Sequence, residues 1–395
     1  MLRSRHVSDR AEIEIVNCHI HTFTHEHAPD RFVRPPLNVL LRIGWFRRWL
    51  LNVVRAFDRG RRGRIARYAE ILEIAQRSQE AVFEIARGFY PEGTRFVVLP
   101  MDMTWMGAGR VRSSIDEQHA ELARLRDSHP EVLPFAAVDP RHPGIVEKTV
   151  ELLERQRFRG IKLYPPIGYH PNDRELWPLY AYAEEHGVPV LAHCSRPAGV
   201  QYRGEPTDRM RTDPVSGERL DLDRYRLLSL FTDPDTYRPI LQKHPRLRIC
   251  LAHFGGAEDW GRFLSRPWGL GGAAVDRKGM LEKLADRLLP GDDPRGRSWL
   301  AKIAGMLRSG DYPGLWTDIA YTVFADDEYL YLLKVLLADP QIRARVLFGS
   351  DFYVVADARL EERRRSIRIR AVLGEEVFRA IAHDNPRVFL GGLSG

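Results

Sequence analysis

The sequence predicts an α/β fold, a (β/α)8 TIM barrel with long βα-loop insertions forming a lid over one end. Three observations predict it. β-rich runs recur eight times, most are followed by a segment of helical character, and several end in histidine or aspartate. No glycine-rich phosphate loop follows the first run, which argues against a doubly wound open sheet as the competing arrangement.

The runs, in order, are residues 12–21 (EIEIVNCHIH), 95–101 (RFVVLPM), 132–139 (VLPFAAVD), 159–164 (RGIKLY), 188–193 (VPVLAH), 248–253 (RICLAH), 315–320 (LWTDIA) and 345–351 (RVLFGSD). Helical stretches separate them, such as SIDEQHAELARLRDSHP before the third. DRELWPLYAYAEEHG before the fifth ends in the glycine expected just past a helix. The 395 residues are read as one domain, 1–395, with a helical insertion over 22–94.

Three connections exceed a minimal barrel, at 22–94, 195–247 and 255–314. Each leaves the C-terminal end of a strand, so each is expected over the barrel mouth, where it shapes a substrate pocket. From Arg31 to Arg67 arginines recur with Asp58 as the only acid. That stretch fits a lid or an oligomer contact, with membrane-surface binding as the alternative, and a homodimer is the expected state.

The composition is that of an ordinary globular chain, 44% hydrophobic and 29% charged. The net charge of +7 is concentrated in the arginine run and carries no nucleic-acid-binding signature, which excludes nucleic acid as the expected partner and favours a small anionic substrate. Three cysteines, Cys18, Cys194 and Cys250, are too few for a disulfide framework. A cytoplasmic protein is expected, without a signal peptide or a transmembrane segment.

Strand periodicity places Asn17, His19 and His21 on the barrel-facing side and turns Cys18 and Ile20 away. His193, His253 and Asp351 close the fifth, sixth and eighth runs, at the end where barrel active sites lie. Imidazole nitrogens and a carboxylate suit Zn2+, with Mn2+ or Fe2+ as alternatives, and an incompletely filled shell leaves room for water or substrate. On the fourth run, Gly160, Lys162 and Tyr164 face inward while Ile161 and Leu163 face the helices. Arg196 is a candidate for holding a substrate carboxylate. Tyr164, Tyr169, His170, Trp105 and Tyr321 are candidates for an aromatic pocket wall. Cys194 points away from the metal and is no nucleophile.

This constellation, with the segments VLAHCS, ICLAHFGG, LFGSDF and NPRVFLG, resembles the amidohydrolase superfamily. It looks most like the amidohydrolase-related branch of hydrolases and non-oxidative decarboxylases. The resemblance runs from Val16 to Leu390, with one departure: Asn17 stands where the family usually has the Asp of Asp-x-His-x-His. It implies a metal held by His19, His21, His193, His253 and Asp351. It also implies that Lys162 is carboxylated and bridges two ions, as in dihydroorotases. Lys162 as a cation pairing with a substrate carboxylate, or as a barrel lysine paired with Asp139 or Asp351, remain the other readings.

The expected activity is hydrolysis of an amide, lactone or ester, with Asp351 as general base and His193 as a ligand or polarising donor. Decarboxylation of an aromatic or dienoic acid is the rival. A non-catalytic metal-binding barrel is the third reading.

Overall fold

A computed structural model describes residues 13–32, 71, 73–197, 199–264, 298–353 and 362–392. All eight expected strands are present, in one parallel sheet ordered as in the chain. They are β1 (Val16–Ile20), β2 (Arg95–Val98), β3 (Val132–Val138), β4 (Gly160–Leu163), β5 (Val190–Ala192), β6 (Ile249–Leu251), β7 (Leu315–Asp318) and β8 (Val346–Leu347). The segment after β8 returns to β1. Phe348 O accepts from Cys18 N–H at 2.8 Å, and Asp351 N–H donates to His19 O at 2.8 Å. These bonds bring the last strand against the first and curl the sheet into a barrel.

Helices α1 (Gln79–Arg87), α2 (Ile115–Ser128), α3 (Ile145–Glu154) and α4 (Trp177–Glu185) fall in the first four intervals between strands, one in each. Serine opens α1 and α2, its hydroxyl accepting the N–H of Ala81 and of Glu117, and in α2 the Glu117 carboxylate returns the bond to Ser114 N–H. Among the described residues no helix is long and apolar enough to cross a membrane. Most of the arginine-rich stretch of the first insertion lies outside the described residues.

Because helices cover the outside and side chains fill the inside, the strands are buried on both faces. Two apolar clusters separate cleanly. Val97, Leu133, Phe135, Leu191, Cys250, Trp316 and Leu347 fill the barrel interior. Val98, Val138, Ile161, Leu163, Ala192 and Leu251 belong to the outer cluster with the helices. Ile161 and Leu163 therefore face out as expected. Gly160 has a packing reason: a Cβ there would stand 2.5 Å from the Phe135 ring that fills the interior.

Strand β1 departs from strict alternation. Asn17 pairs with Phe96 and Ile20 with Val98, so two residues of β1, Cys18 and His19, oppose the single Val97. This is a β-bulge, and it turns both residues inward. Cys18 accordingly joins the interior cluster, contrary to expectation. Asn17 is turned away from the interior, beside Ser350 and the Tyr90 hydroxyl. His19 and His21 keep their inward direction because the extra residue falls between Asn17 and His19.

His119 of α2 is buried, and its Nε2 accepts the N–H of Ala137 in β3 at 3.0 Å. Burial pushes its pKa from 6.5 down to about 4, so the folded state holds it neutral and the unfolded chain takes up a proton first. Stability linked to this group is complete above pH 6.5 and falls by about 1.4 kcal/mol per pH unit as the pH drops toward 4. In urea unfolding, His119→Gln, whose amide oxygen keeps the acceptor, is expected to lose about 2 kcal/mol less than the unmodified chain between pH 7.5 and pH 5. Equal losses would assign the acid sensitivity to other groups.

Candidate metal centre

At the C-terminal end of the barrel, three histidines are held by the same device. Nδ1 of His19 lies 2.9 Å from Asp318 Oδ2, Nδ1 of His21 lies 2.8 Å from Leu99 O, and Nδ1 of His253 lies 3.0 Å from Ala320 O. Each acceptor takes the ring proton on Nδ1, which leaves Nε2 as a lone pair. The Nε2 atoms of His21 and His19 approach the same oxygen, Asp351 Oδ1, at 3.1 and 3.3 Å. His19 Nε2 is buried and has no hydrogen-bond partner among the described residues. His19, His253 and Asp351 present ligand atoms within 4.8 Å of one another. These are the donor types that a divalent cation takes, and each nitrogen is pre-set to donate a lone pair.

The electrostatics agree for His21, His193 and His253. Burial lowers His21 and His193, and lowers His253 to about 4, so all three are neutral near pH 7. Burial also opposes charge on Asp318 and Asp351. The adjacent histidines outweigh it and hold Asp318 below its ordinary range and Asp351 well below it. Burial works against an imidazolium at His19 as well, but the charge and hydrogen bond of Asp318, with the Asp351 carboxylate nearby, raise its pKa. Two buried carboxylates flanking one imidazole make a surplus of negative charge suited to a cation.

The backbone is bent to make this arrangement. His253 and Asp351 both adopt left-handed φ angles, 68° and 63°, and each such residue costs about 1–3 kcal/mol that the surroundings must offset. Asp351 is anchored through its N–H to His19 O, and His253 through its N–H to Asp318 Oδ1 at 2.8 Å. Asn17 serves the same scaffold: its Oδ1 accepts from the N–H groups of His19 and Ser350, both at 3.2 Å, and its Nδ2 donates to Ser350 Oγ.

Asp318 was not singled out in the sequence, although it ends β7 as Asp351 follows β8. It is fully buried and accepts from His19, His253 N–H and Ala320 N–H. His193 stands at the edge of the cluster, with Nδ1 3.1 Å from His253 Nε2 and Nε2 2.8 Å from Ser195 Oγ. Cys194 points into the outer layer, where its thiol donates to Thr232 O.

Lys162 lies between Ala137 of β3 and Leu191 of β5 and is 1% exposed, with no hydrogen bond to its ammonium among the described residues. Burial pulls its pKa to about 8, with Asp351 and Asp318 pulling the other way. It is not paired with Asp139, which instead grips Arg141 through Nε at 2.8 Å and Nη2 at 2.5 Å. The Tyr164 ring stands 4.5 Å from that of His193, and its hydroxyl donates to Val200 O. Tyr169 donates to Val138 O and accepts Tyr164 N–H. Arg196 Nε donates to the buried Asp259 at 2.8 Å, with its guanidinium 4.9 Å from the Trp299 ring. Trp105 packs on His142 and Tyr321 near His253, whereas His170 bonds Met210 O against Phe231.

A parallel eight-stranded barrel with imidazoles and a carboxylate converging at its C-terminal end defines a metal-dependent barrel enzyme. The chain belongs to the amidohydrolase family, whose model, described as Amidohydrolase, matches residues 18–392. No curated protein matches the sequence significantly. Among solved structures, a 2,6-dihydroxybenzoate decarboxylase complexed with 2,6-dihydroxybenzoate is similar at 13% identity and TM-score 0.52, covering 96% of this chain and 99% of that one. A dihydroxybenzoic acid decarboxylase from Polaromonas sp., with bound manganese, gives the same identity and TM-score, covering 96% and 97%. A 2,6-dihydroxybenzoate decarboxylase from Rhizobium follows at 14% and 0.51, covering 96% and 99%. At these identities the likeness is one of fold.

The Asp318 bridge generates a test. In Asp318→Asn the amide oxygen can serve His253 and Ala320, which turns the NH2 group toward His19 Nδ1 and forces that ring into the other tautomer. Affinity for Zn2+ or Mn2+, measured by competition with a chromophoric chelator, should fall about 10–100-fold with circular dichroism unchanged. Unaltered affinity would remove Asp318 from the metal centre.

Proposed function

We propose that the protein is a metal-dependent hydrolase that cleaves a C–N or C–O bond of a small anionic amide, lactone or ester. The observation that carries this reading is Asp351, a carboxylate kept ionised while its Oδ1 stands 3.1 and 3.3 Å from two histidine nitrogens. His19, His21, His253 and Asp351 would hold one divalent ion, Zn2+ or alternatively Mn2+ or Fe2+, with His193 beside them. When bound, such an ion supplies a Lewis acid that acidifies water and polarises a carbonyl.

Asp351 takes a proton from the attacking water as the oxygen adds to the carbonyl carbon. It returns that proton to the leaving nitrogen or oxygen as the bond breaks. Its left-handed backbone, anchored on His19 O, fixes the carboxylate for both transfers. His193 positions the substrate oxygen from the Tyr164 side. Asn17 stands outside the donor set, bonding Ser350 and the His19 N–H, so an asparagine at this position leaves every donor in place.

A second reading, decarboxylation of an aromatic or dienoic acid, draws on the buried Lys162 ammonium, which has no hydrogen bond among the described residues and suits a carboxylate. A two-ion arrangement bridged by carboxylated Lys162 is the variant of the hydrolase reading.

Turnover in H2(18)O of amide, lactone and ester acids tests the choice. Hydrolysis places one labelled oxygen in the product, and Asp351→Asn should cut kcat by about 10²–10⁴ with metal bound. Release of carbon dioxide without labelled oxygen would replace hydrolysis by decarboxylation.

A further inference from the structure

Behind the donors, in the outer layer at the seam between the first and last strands, lies a second buried polar group. Tyr90 follows α1 and is buried, its ring set edge-on between Phe96 of β2 and Phe348 after β8. This wedge delivers the hydroxyl to the buried start of the helix Glu362–Leu373, where it donates to Glu362 Oε1 at 2.7 Å. Burial and the Glu362 charge raise the Tyr90 pKa well above its ordinary value, so the hydroxyl keeps its one proton and commits it there. The same oxygen lies within hydrogen-bond reach of the Ser350 and Asn17 side chains.

A count of hydrogens explains why position 17 is an amide. Asn17 Oδ1 accepts two main-chain N–H groups, those of His19 and Ser350, each at 3.2 Å. Its Nδ2 carries two hydrogens, one donated to Ser350 Oγ at 2.9 Å and the other available to the Tyr90 oxygen. Ser350 Oγ also accepts from Phe352 N–H at 3.3 Å, so its own hydrogen is likewise directed to Tyr90. An aspartate carboxylate at position 17 would supply no hydrogen. It would set a second buried carboxylate against a hydroxyl whose proton is already committed.

We propose that Glu362 is a positioning residue of the metal centre: through Tyr90 it orients the Asn17 amide, which in turn holds the main chain at His19 and beside Asp351. The carboxylate of this unit stands on the helix after β8 and the amide on β1, and each requires the other. The inference rests on the metal-centre reading and not on which bond is broken.

Mn2+ affinity by chelator competition, with thermal unfolding of the same proteins, tests it. Tyr90→Phe should lower affinity about tenfold, and Glu362→Gln should lower it by less. In Asn17→Asp the effect of Glu362→Gln should reverse sign, raising affinity and melting temperature together, because Tyr90 can then donate to the new carboxylate. In Tyr90→Phe it should change affinity no further. A Glu362→Gln effect of equal size and direction in all three backgrounds would overturn the proposal, as would variants that lose stability and keep full affinity. If Asn17→Asp does not fold, recovery of a folded, metal-binding protein in the double variant is the expected reversal; where neither folds, the Tyr90→Phe background decides. An unmodified chain that retains no Mn2+ would overturn the metal centre itself, whereas retained Mn2+ with additive effects overturns only the role of Glu362.

Discussion

The centre depends on one buried carboxylate, Asp318. Its two oxygens accept from the His19 ring, the His253 N–H and the Ala320 N–H, tying β1, the turn after β6 and the end of β7 to a single group. An ionised carboxylate with no exposure survives only if its lone pairs are filled, and here they are filled by the elements that carry the donors. The constraint runs both ways. The His253 backbone is held in a left-handed conformation partly because its N–H is engaged, and the lone pair on His19 Nε2 exists because the proton is drawn to the other side of the ring.

Most of the architecture was legible because it follows from periodicity. The eight runs stand out as apolar stretches with polar ends, and alternation places Lys162 inside and Ile161 and Leu163 outside. Alternation failed on β1, where an inserted residue faces the same side as its neighbour. A bulge is a matter of register between two strands, which the pattern of one strand does not contain. The inward direction of His19 and His21 was therefore reached with Asn17 and Cys18 exchanged between faces.

Other partners were hidden for a different reason. Arg196 and Asp259 lie 63 residues apart, as His142 and Asp102 lie 40 apart, and only the fold brings them together. Asp318 had one local signal, its place at the end of a strand, the same signal that marked Asp351. What separates their roles is direction: Asp351 turns its oxygen to the nitrogen lone pairs, whereas Asp318 grips ring and backbone N–H groups behind them. That division appears only when both strands are packed side by side.

The charge layout of the mouth sorts its acids into two kinds. On the histidine side two ionised, buried carboxylates stand beside the nitrogen donors, and burial keeps His21, His193 and His253 neutral with their lone pairs free. Asp139 and Asp102 at the same mouth are matched by Arg141 and His142, so the buried Lys162 ammonium is left facing Asp351 and Asp318. Within a low-dielectric interior these charges act strongly on one another, so a cation bound among the donors is felt by every group of the cluster. The Tyr164 ring packs against His193 and lies with its centre 5.9 Å from the Lys162 ammonium, an apolar wall that helps desolvate both groups.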